Sequence, residues 1–316
     1  MTSFNKLLSK NNLQRYPSQN SSAIMNAIKL ICAGFLFTCI AACKTGHGVC
    51  AIDCSPLSAT ALVDRIHHGQ RLYVPVDVYV DCFIFEISSD SEFKKVVVCS
   101  VDPGKLTEEF NQLNLSFSDL NIEFVIHNII PVTQELCVSS AQEFEEKWQA
   151  AIVARSLQDE ETLCNIVANL DKSVCSLFVQ FDLGPNVSGL SKLPYWENCH
   201  GIRVCGPRLV KYLLAHEFGH YFGLMHTFHP GGDNIFDTPN GPADMSLVGT
   251  PADPNCSNIM TYTFEDSERS FTSGQIDMMR RFCMGFRVGE IYGDMPNGCS
   301  RPEDLNNLIN NMLDKL

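Results

Sequence analysis

The chain has 316 residues, of which 45% are hydrophobic and 19% charged, so it can build a large core and is not a predominantly disordered protein. Acidic residues outnumber basic ones by 36 to 23, and the formal charge of -13 argues against a nucleic-acid partner. The 15 cysteines are typical either of an oxidising compartment, where disulfides form, or of a metal-binding protein.

The first 43 residues have the pattern of an export signal, with Met25 as a second candidate for the true start. Residues 30–42 are an apolar run without a charged residue, which has the length of a signal-peptide core and is too short to span a bilayer. Two interpretations of its end remain open: ordinary cleavage, or a lipoprotein site that leaves Cys43 to carry a lipid. We therefore expect a secreted protein or a cell-surface lipoprotein, with membrane contact only through a lipid on Cys43.

Strand and helix patterns alternate after residues 44–70, which we predict to be a short pro-segment or an irregular extension. Runs rich in β-branched and aromatic residues predict strands at 72–86, 94–101, 121–130 and 174–183. Apolar residues three and four positions apart predict helices within 106–113, 141–155 and 159–170. This order is typical of a mixed α/β domain.

Two further helices are predicted near the carboxyl end. Thr272 and Gln275 form a capping box, which predicts a helix that continues to Phe282. Residues 303–316 place their apolar side chains on one helical face, and the opposite face lacks the basic residues of a membrane-surface helix. We expect this amphipathic helix to dock on the domain.

One histidine-rich motif makes the sequence chemically specific. His216 and His220 are four residues apart, so on a helix both imidazoles project from one face and can bind one tetrahedral zinc ion. Glu217 lies about 100° around the helix, where it can reach a zinc-bound water without being a ligand. Gly223 permits the left-handed conformation that ends a helix, and the turned chain can bring His226 to a third zinc position.

The length of this motif makes a chance match improbable. From the chain's own frequencies of His, Glu and Gly, about 10⁻⁵ chance occurrences of H-E-x-x-H-x-x-G-x-x-H are expected. Three histidines leave the fourth zinc position to water, and an open position of this kind distinguishes catalytic from structural zinc sites.

The motif and the segments around it resemble the metzincin metallopeptidases, whose hallmark is this zinc motif followed by a methionine-containing turn. More narrowly, the chain resembles the pappalysin family from about Leu72 to Arg287. The segments that carry this resemblance are LAHEFGH at 214–220, LMHTF at 224–228, DTP at 237–239, NIMTY at 258–262 and FTSGQ at 271–275. Weaker upstream similarity lies at EFNQLNLSF, 109–117, and SGLSKLP, 188–194.

The resemblance implies a metzincin-like α/β (α+β) fold, in which a twisted mixed sheet and an active-site helix precede an irregular carboxy-terminal subdomain. It implies a catalytic domain over residues 71–287, followed by an extension over 288–316 with the amphipathic helix. The site residues that it implies are His216, His220 and His226 as ligands of one zinc ion, Glu217 as general base and acid, Met260 in the turn below the metal, and Tyr262 as oxyanion support.

Two further sites are predicted less directly. Asp233, Asp237 and Asp244 lie in a glycine- and proline-rich stretch, and are either ligands of the calcium that some relatives bind or solvated loop acids. Cys256 and Cys283 bracket the methionine turn and the following helix, and we expect a disulfide between them.

The function expected from these features is a zinc-dependent endopeptidase that acts on extracellular protein or peptide substrates. The substrate would bind in an extended conformation beside an edge of the sheet. Glu265 and Asp266 predict a preference for a basic side chain after the scissile bond. Two alternatives stay open: a catalytically weak binding or adhesion protein that retains the fold, and a structural-zinc protein with a fourth protein ligand.

Overall fold

The computed structural model describes residues 55–89, 92–156, 173–191, 193, 201–242, 244–262 and 267–316. Several predictions from the sequence lie outside these residues: the export signal, the lipid site at Cys43, the helix at 159–170, and the acidic pair Glu265 and Asp266.

The described strands form one mixed sheet, which confirms the predicted mixed α/β fold. The strands are β1 (Leu72–Ser89), β2 (Glu92–Cys99), β3 (Ile122–Val138), β4 (Cys175–Gln180), β5 (Gly189–Ser191) and β6 (Gly201–Cys205). Strand β1 is central, since β3 pairs in parallel along nearly all of it, β4 in parallel with residues 76–80, and β2 antiparallel with residues 82–89. Strand β6 continues the parallel pairing beside β4, and β5 closes this end antiparallel to β6.

One disulfide is present among the described cysteines, and it is not the one expected from the sequence. Cys82 and Cys99 face each other across β1 and β2, with 4.1 Å between their Cα atoms, and are bonded. Cys256 and Cys283 are both free thiols, so the predicted bond between them is wrong. Cys283 is fully buried in the core while Cys256 lies half-buried in a turn of the irregular segment, so the two side chains occupy different environments.

The described helices are α1 (Ala59–His67), α2 (Pro103–Ser116), α3 (Ala141–Ser156), α4 (Leu213–Tyr221), α5 (Ser273–Phe286) and α6 (Leu305–Leu313). The capping box predicted at the start of α5 is confirmed, since the Thr272 side chain accepts from the Gln275 N–H and the Gln275 side chain accepts from the Thr272 N–H. Among these helices, none is long and apolar enough to cross a bilayer.

The main core lies between one face of the sheet and helices α2 and α4. Apolar side chains of β1, such as Val76 and Val78, meet Phe110 of α2 and Phe218 of α4 in one continuous cluster. The same cluster contains side chains from both ends of the described chain: Leu62 of α1, and Leu305 and Ile309 of α6. The docking predicted for the last helix is therefore confirmed. Residues 59–67 form helix α1, whereas an irregular extension was expected before residue 70.

Between α4 and α5 the described residues contain turns, a single 3-10 turn at Met245–Leu247 and an isolated bridge between Asn258 and Ser270. This matches the irregular segment expected after the active-site helix. It places the residues of the methionine turn next to α4 without a strand or helix of their own.

Candidate metal centre

Helix α4 carries the first two histidines of the motif, and a glycine turn brings the third one back. The helix ends at Tyr221, and Gly223 follows with a φ of 93°, the left-handed conformation predicted from the sequence. A Cβ atom at Gly223 would overlap the ring of Phe282, so the turn also requires the close approach that only glycine allows. The chain then reverses toward His226.

Three imidazole nitrogens converge at this point. The Nε2 atom of His226 lies 3.2 Å from Nε2 of His216 and 3.0 Å from Nε2 of His220. A tetrahedral zinc ion with bonds of about 2.0–2.1 Å to nitrogen separates its ligands by about 3.3 Å. The spacing of the three nitrogens is close to what one zinc ion requires.

The opposite ring nitrogens fix the chemical state of these side chains. His216 Nδ1 donates to the Ile259 carbonyl at 2.7 Å, and His220 Nδ1 donates to the Leu224 carbonyl at 2.7 Å. Both Nε2 atoms then carry free lone pairs that point toward Nε2 of His226, the state in which an imidazole binds a metal ion. Burial lowers the pKa of all three imidazoles, that of His226 to about 3, which keeps them neutral and able to bind metal.

Glu217 lies beside this cluster and is buried, with 4% of its surface exposed. Burial raises the pKa of its carboxyl to about 8. Its carboxylate touches the backbone of β5 so closely that a Cβ atom at Gly189 would overlap it. The edge strand of the sheet and the candidate general base are therefore in direct contact.

The methionine turn supports the cluster through backbone contacts. Met260 is fully buried against α4, where a Cβ atom at Gly219 would overlap its sulfur atom. The Thr227 N–H donates to the Met260 carbonyl at 3.2 Å, next to His226, while the preceding carbonyl of Ile259 accepts from His216. The turn thus holds both the helix and the returning segment in place.

Tyr262 lies at the open side of the cluster. Its ring centroid is 4.7 Å from that of His226 and 5.9 Å from that of His216, and about half of the side chain is exposed (51%). Burial raises the pKa of its hydroxyl, and the nearby charge of Glu217 raises it further, so the group stays a hydrogen-bond donor at neutral pH. Its role as oxyanion support stays a prediction.

The three aspartates predicted for calcium are engaged separately. Asp237 accepts from the Thr272 hydroxyl and the Gly274 N–H, both at 2.8 Å, and so caps α5. Asp244 is exposed and accepts from the Ser246 N–H, whereas Asp233 is buried and accepts from the Ile235 N–H. Within the described ranges, the histidines are the only group of three side chains arranged to hold a metal. The structure does not bring the three carboxylates together, and calcium binding stays a prediction.

Sequence reasoning missed the residues that contact the motif from elsewhere in the chain. Gly189 lies in the segment 188–194 that resembles the pappalysin family, so a signal existed, but nothing in it indicated contact with Glu217. The carbonyls of Leu224 and Ile259 carry no sequence signal at all, because every residue has a carbonyl.

Comparison with known proteins points to the same part of the chain as the geometry of the histidines does. The model of peptidase family M43, described as Pregnancy-associated plasma protein-A, matches residues 208–284. This segment contains the three histidines, Glu217 and the methionine turn. The resemblance to pappalysin-type metzincin metallopeptidases is therefore confirmed over this segment.

Relatives and a solved structure are similar to parts of the chain. An extracellular metalloprotease of Colletotrichum graminicola is 36% identical over 87 residues, 24% of this chain and 31% of that protein. An extracellular metalloprotease of Neurospora crassa is 30% identical over 140 residues, 36% of this chain and 49% of that protein. The chain thus spans less than half the length of these relatives. The structure of Tannerella forsythia mature mirolysin in complex with a cleaved peptide covers 70% of this chain and 98% of that chain, with 18% identity and a TM-score of 0.42.

Proposed function

We propose that this protein is an exported zinc-dependent endopeptidase that hydrolyses peptide bonds of extracellular protein or peptide substrates. The observation that carries the proposal is the convergence of three Nε2 atoms beside a buried carboxylate, with the opposite nitrogens of His216 and His220 already bound to carbonyls. The names of the fungal relatives, extracellular metalloproteases, support both the reaction and secretion. The proposed catalytic domain is residues 71–287.

The residues around the centre supply the chemistry of peptide hydrolysis. His216, His220 and His226 would hold the zinc ion, which when bound polarises a carbonyl and makes water more acidic. Glu217 takes the proton of the attacking water on its carboxylate and transfers it to the nitrogen of the leaving amine. The Tyr262 hydroxyl donates to the oxygen of the scissile carbonyl as negative charge develops there.

The edge strand β5 is the proposed binding surface for the substrate backbone. Within the described part of the chain, β5 pairs only with β6, so its second edge is available for an extended peptide. Gly189 of this strand touches Glu217, and the neighbouring Leu190 is exposed. A peptide added to this edge would therefore pass directly beside the general base.

Two finer features belong to the same proposal. A basic side chain after the scissile bond is preferred because Glu265 and Asp266 closely follow Tyr262 in the sequence. Cleavage profiling on a peptide library tests this preference, and a dominance of apolar residues at that position would contradict it. Calcium binding by Asp233, Asp237 and Asp244 belongs to the proposal as well, and Asp233 is the buried one of the three.

Substitution of single motif residues tests the function. Glu217→Gln should retain zinc and lower the rate of peptide cleavage by at least about 100-fold, because it removes the general base and leaves the ligands intact. His226→Ala should lose both zinc and activity. His229→Ala is the matched control, since this exposed histidine lies three residues beyond the motif, and it should retain both.

Zinc content after chelator challenge and cleavage of a fluorogenic peptide are the two measurements. A wild-type protein that binds zinc after removal of its amino-terminal segment and still cleaves no peptide would refute the enzyme proposal. It would favour a binding protein with this fold. Activity that survives in Glu217→Gln would refute the assigned mechanism.

A further inference from the structure

Helix α4 has no cap of its own at its amino-terminal end. Tyr212 precedes the helix with a φ of 73°, and its side chain makes no hydrogen bond to the first turn. The first turn also contains no acidic residue. Because the first N–H groups of a helix have no partner within it, they require an acceptor, ordinarily a nearby Asp, Asn, Ser or Thr. The zinc-binding helix must obtain this acceptor from elsewhere.

Glu109 of α2, which precedes Leu214 by 105 residues, provides this acceptor. The Leu214 N–H donates to Glu109 Oε2 at 3.2 Å, and only 5% of the Glu109 surface is exposed. Burial raises the pKa of this carboxyl to about 7, against the lowering effect of the backbone N–H groups of Leu214, Leu213 and Tyr212. No lysine or arginine in the described ranges forms an ion pair with it. Its partner is the amino-terminal end of α4.

We propose that Glu109 is a positioning residue of the metal centre, whose carboxylate fixes the first turn of α4 so that His216 and Glu217 meet His226 in the correct geometry. His216 and Glu217 follow Leu214 by two and three residues, so a shift of the first turn moves both directly. This inference rests on the proposed zinc site and, for its effect on rate, on the proposed peptidase activity.

The acceptor at this end of α4 is a carboxyl and not a neutral group. A neutral acceptor would satisfy the Leu214 N–H without the desolvation that a buried carboxylate suffers. A carboxylate adds the favourable interaction of negative charge with the positive end of the helix dipole, and this interaction acts within the first turn, where His216 lies. Groups that hydrogen-bond to metal ligands change metal affinity by about 10- to 100-fold when they are removed, and Glu109 acts one step further away, on the backbone two residues before His216.

The test uses Glu109→Ala, which removes the acceptor, and Glu109→Gln, which keeps the shape and one acceptor oxygen without the charge. Glu108→Gln is the matched control, because Glu108 is the adjacent residue of the same helix and is exposed. Three quantities are measured on the full chain: the zinc dissociation constant by chelator competition, hydrogen exchange of the Leu214 amide, and kcat and KM on a peptide.

In Glu109→Ala we expect zinc binding at least tenfold weaker, Leu214 exchange at least tenfold faster, and a lower kcat with KM retained. Glu109→Gln should lie between this variant and the wild type, and Glu108→Gln should match the wild type. If both Glu109 variants lower only the unfolding temperature, with wild-type zinc affinity and Leu214 exchange, the proposal is overturned. If Glu109→Ala does not fold, the same measurements on Glu109→Gln decide.

Zinc affinity and amide exchange require no substrate. A wild-type protein that binds zinc and cleaves no peptide would therefore refute the peptidase function while leaving the role of Glu109 to be decided by these two measurements.

Discussion

The two ends of helix α4, which carries His216 and His220, are held by different means. At the carboxyl end, the Tyr221 hydroxyl donates to the Glu290 carboxylate, and Arg287 donates to both that carboxylate and the Tyr221 carbonyl. The guanidinium carbon of Arg287 also lies 3.6 Å from the centre of the Tyr221 ring. At the amino end, Glu109 accepts a hydrogen bond from the Leu214 N–H, and the Tyr212 hydroxyl donates one to Glu268.

This difference separates an end held by a buried network from an end held by a few separate contacts. Tyr221, Arg287 and Glu290 are all buried, and their contacts form a closed network with the segment after α5. The amino end instead depends on one carboxylate from α2 and on Glu268, whose side chain is 91% exposed. We therefore expect His220 to be fixed by the fold itself, whereas the position of His216 depends on a few polar contacts.

The largest effect is expected at the carboxyl end, from Arg287→Met. This change leaves the Glu290 carboxylate buried without its cation and should lower the free energy of unfolding by about 3 to 5 kcal/mol. Arg280→Met is the control in the preceding helix, because its ion pair with Asp277 is partly exposed and contributes less than about 1 kcal/mol. Urea unfolding measures both. Equal effects of the two variants would show that the buried network does not hold this end.

An intermediate effect is expected at the amino end, as a dependence of stability on pH. The pKa of Glu109 is raised from 4.5 to about 7 in the folded protein, so the folded state binds this proton more tightly than the unfolded state. The contribution of this raised pKa to the free energy of unfolding is complete below pH 4.5 and is lost as the pH rises to about 7. Relative to Glu109→Gln, the wild type should lose up to about 3 kcal/mol of unfolding free energy over this range.

Unfolding of the wild type and Glu109→Gln in parallel at several pH values isolates this one group, because every other ionisable side chain is the same in both proteins. A difference that stays constant from pH 4.5 to 7 would show that the Glu109 carboxyl is not held in a desolvated position.

The smallest effect is expected from Tyr212→Phe. The Tyr212 hydroxyl donates to Glu268 at 3.1 Å and accepts from the Arg269 N–H at 3.2 Å, while its ring is buried and stays so in the variant. Since the carboxylate partner is exposed, the unfolding temperature should fall by no more than about 4 °C, measured by calorimetry. A fall in unfolding temperature as large as that of Arg287→Met, measured in the same way, would contradict the distinction between the two ends.

Local patterns account for what could be predicted from the sequence. The spacing of His216, Glu217, His220 and His226 predicts the site because a helix repeats every 3.6 residues, and Gly223 marks the turn because other residues avoid a left-handed backbone. The predicted Cys256–Cys283 disulfide is wrong because positions on either side of a motif do not determine how far apart two side chains lie. Cys82 and Cys99 can form a bond because they are direct partners in the pairing of β1 and β2.

The sequence by itself determined the mixed α/β class and the helix of the motif, and it singled out the candidate ligands and the candidate general base, since each depends on residues close together in the chain. Only the tertiary structure decided that Gly189 touches Glu217, that Glu109 caps α4, and that Arg287 anchors its other end. These contacts join residues far apart in sequence. Such pairs meet only when the core of β1, α2 and α4 has packed, because burial of apolar surface, and not local spacing, sets their distance.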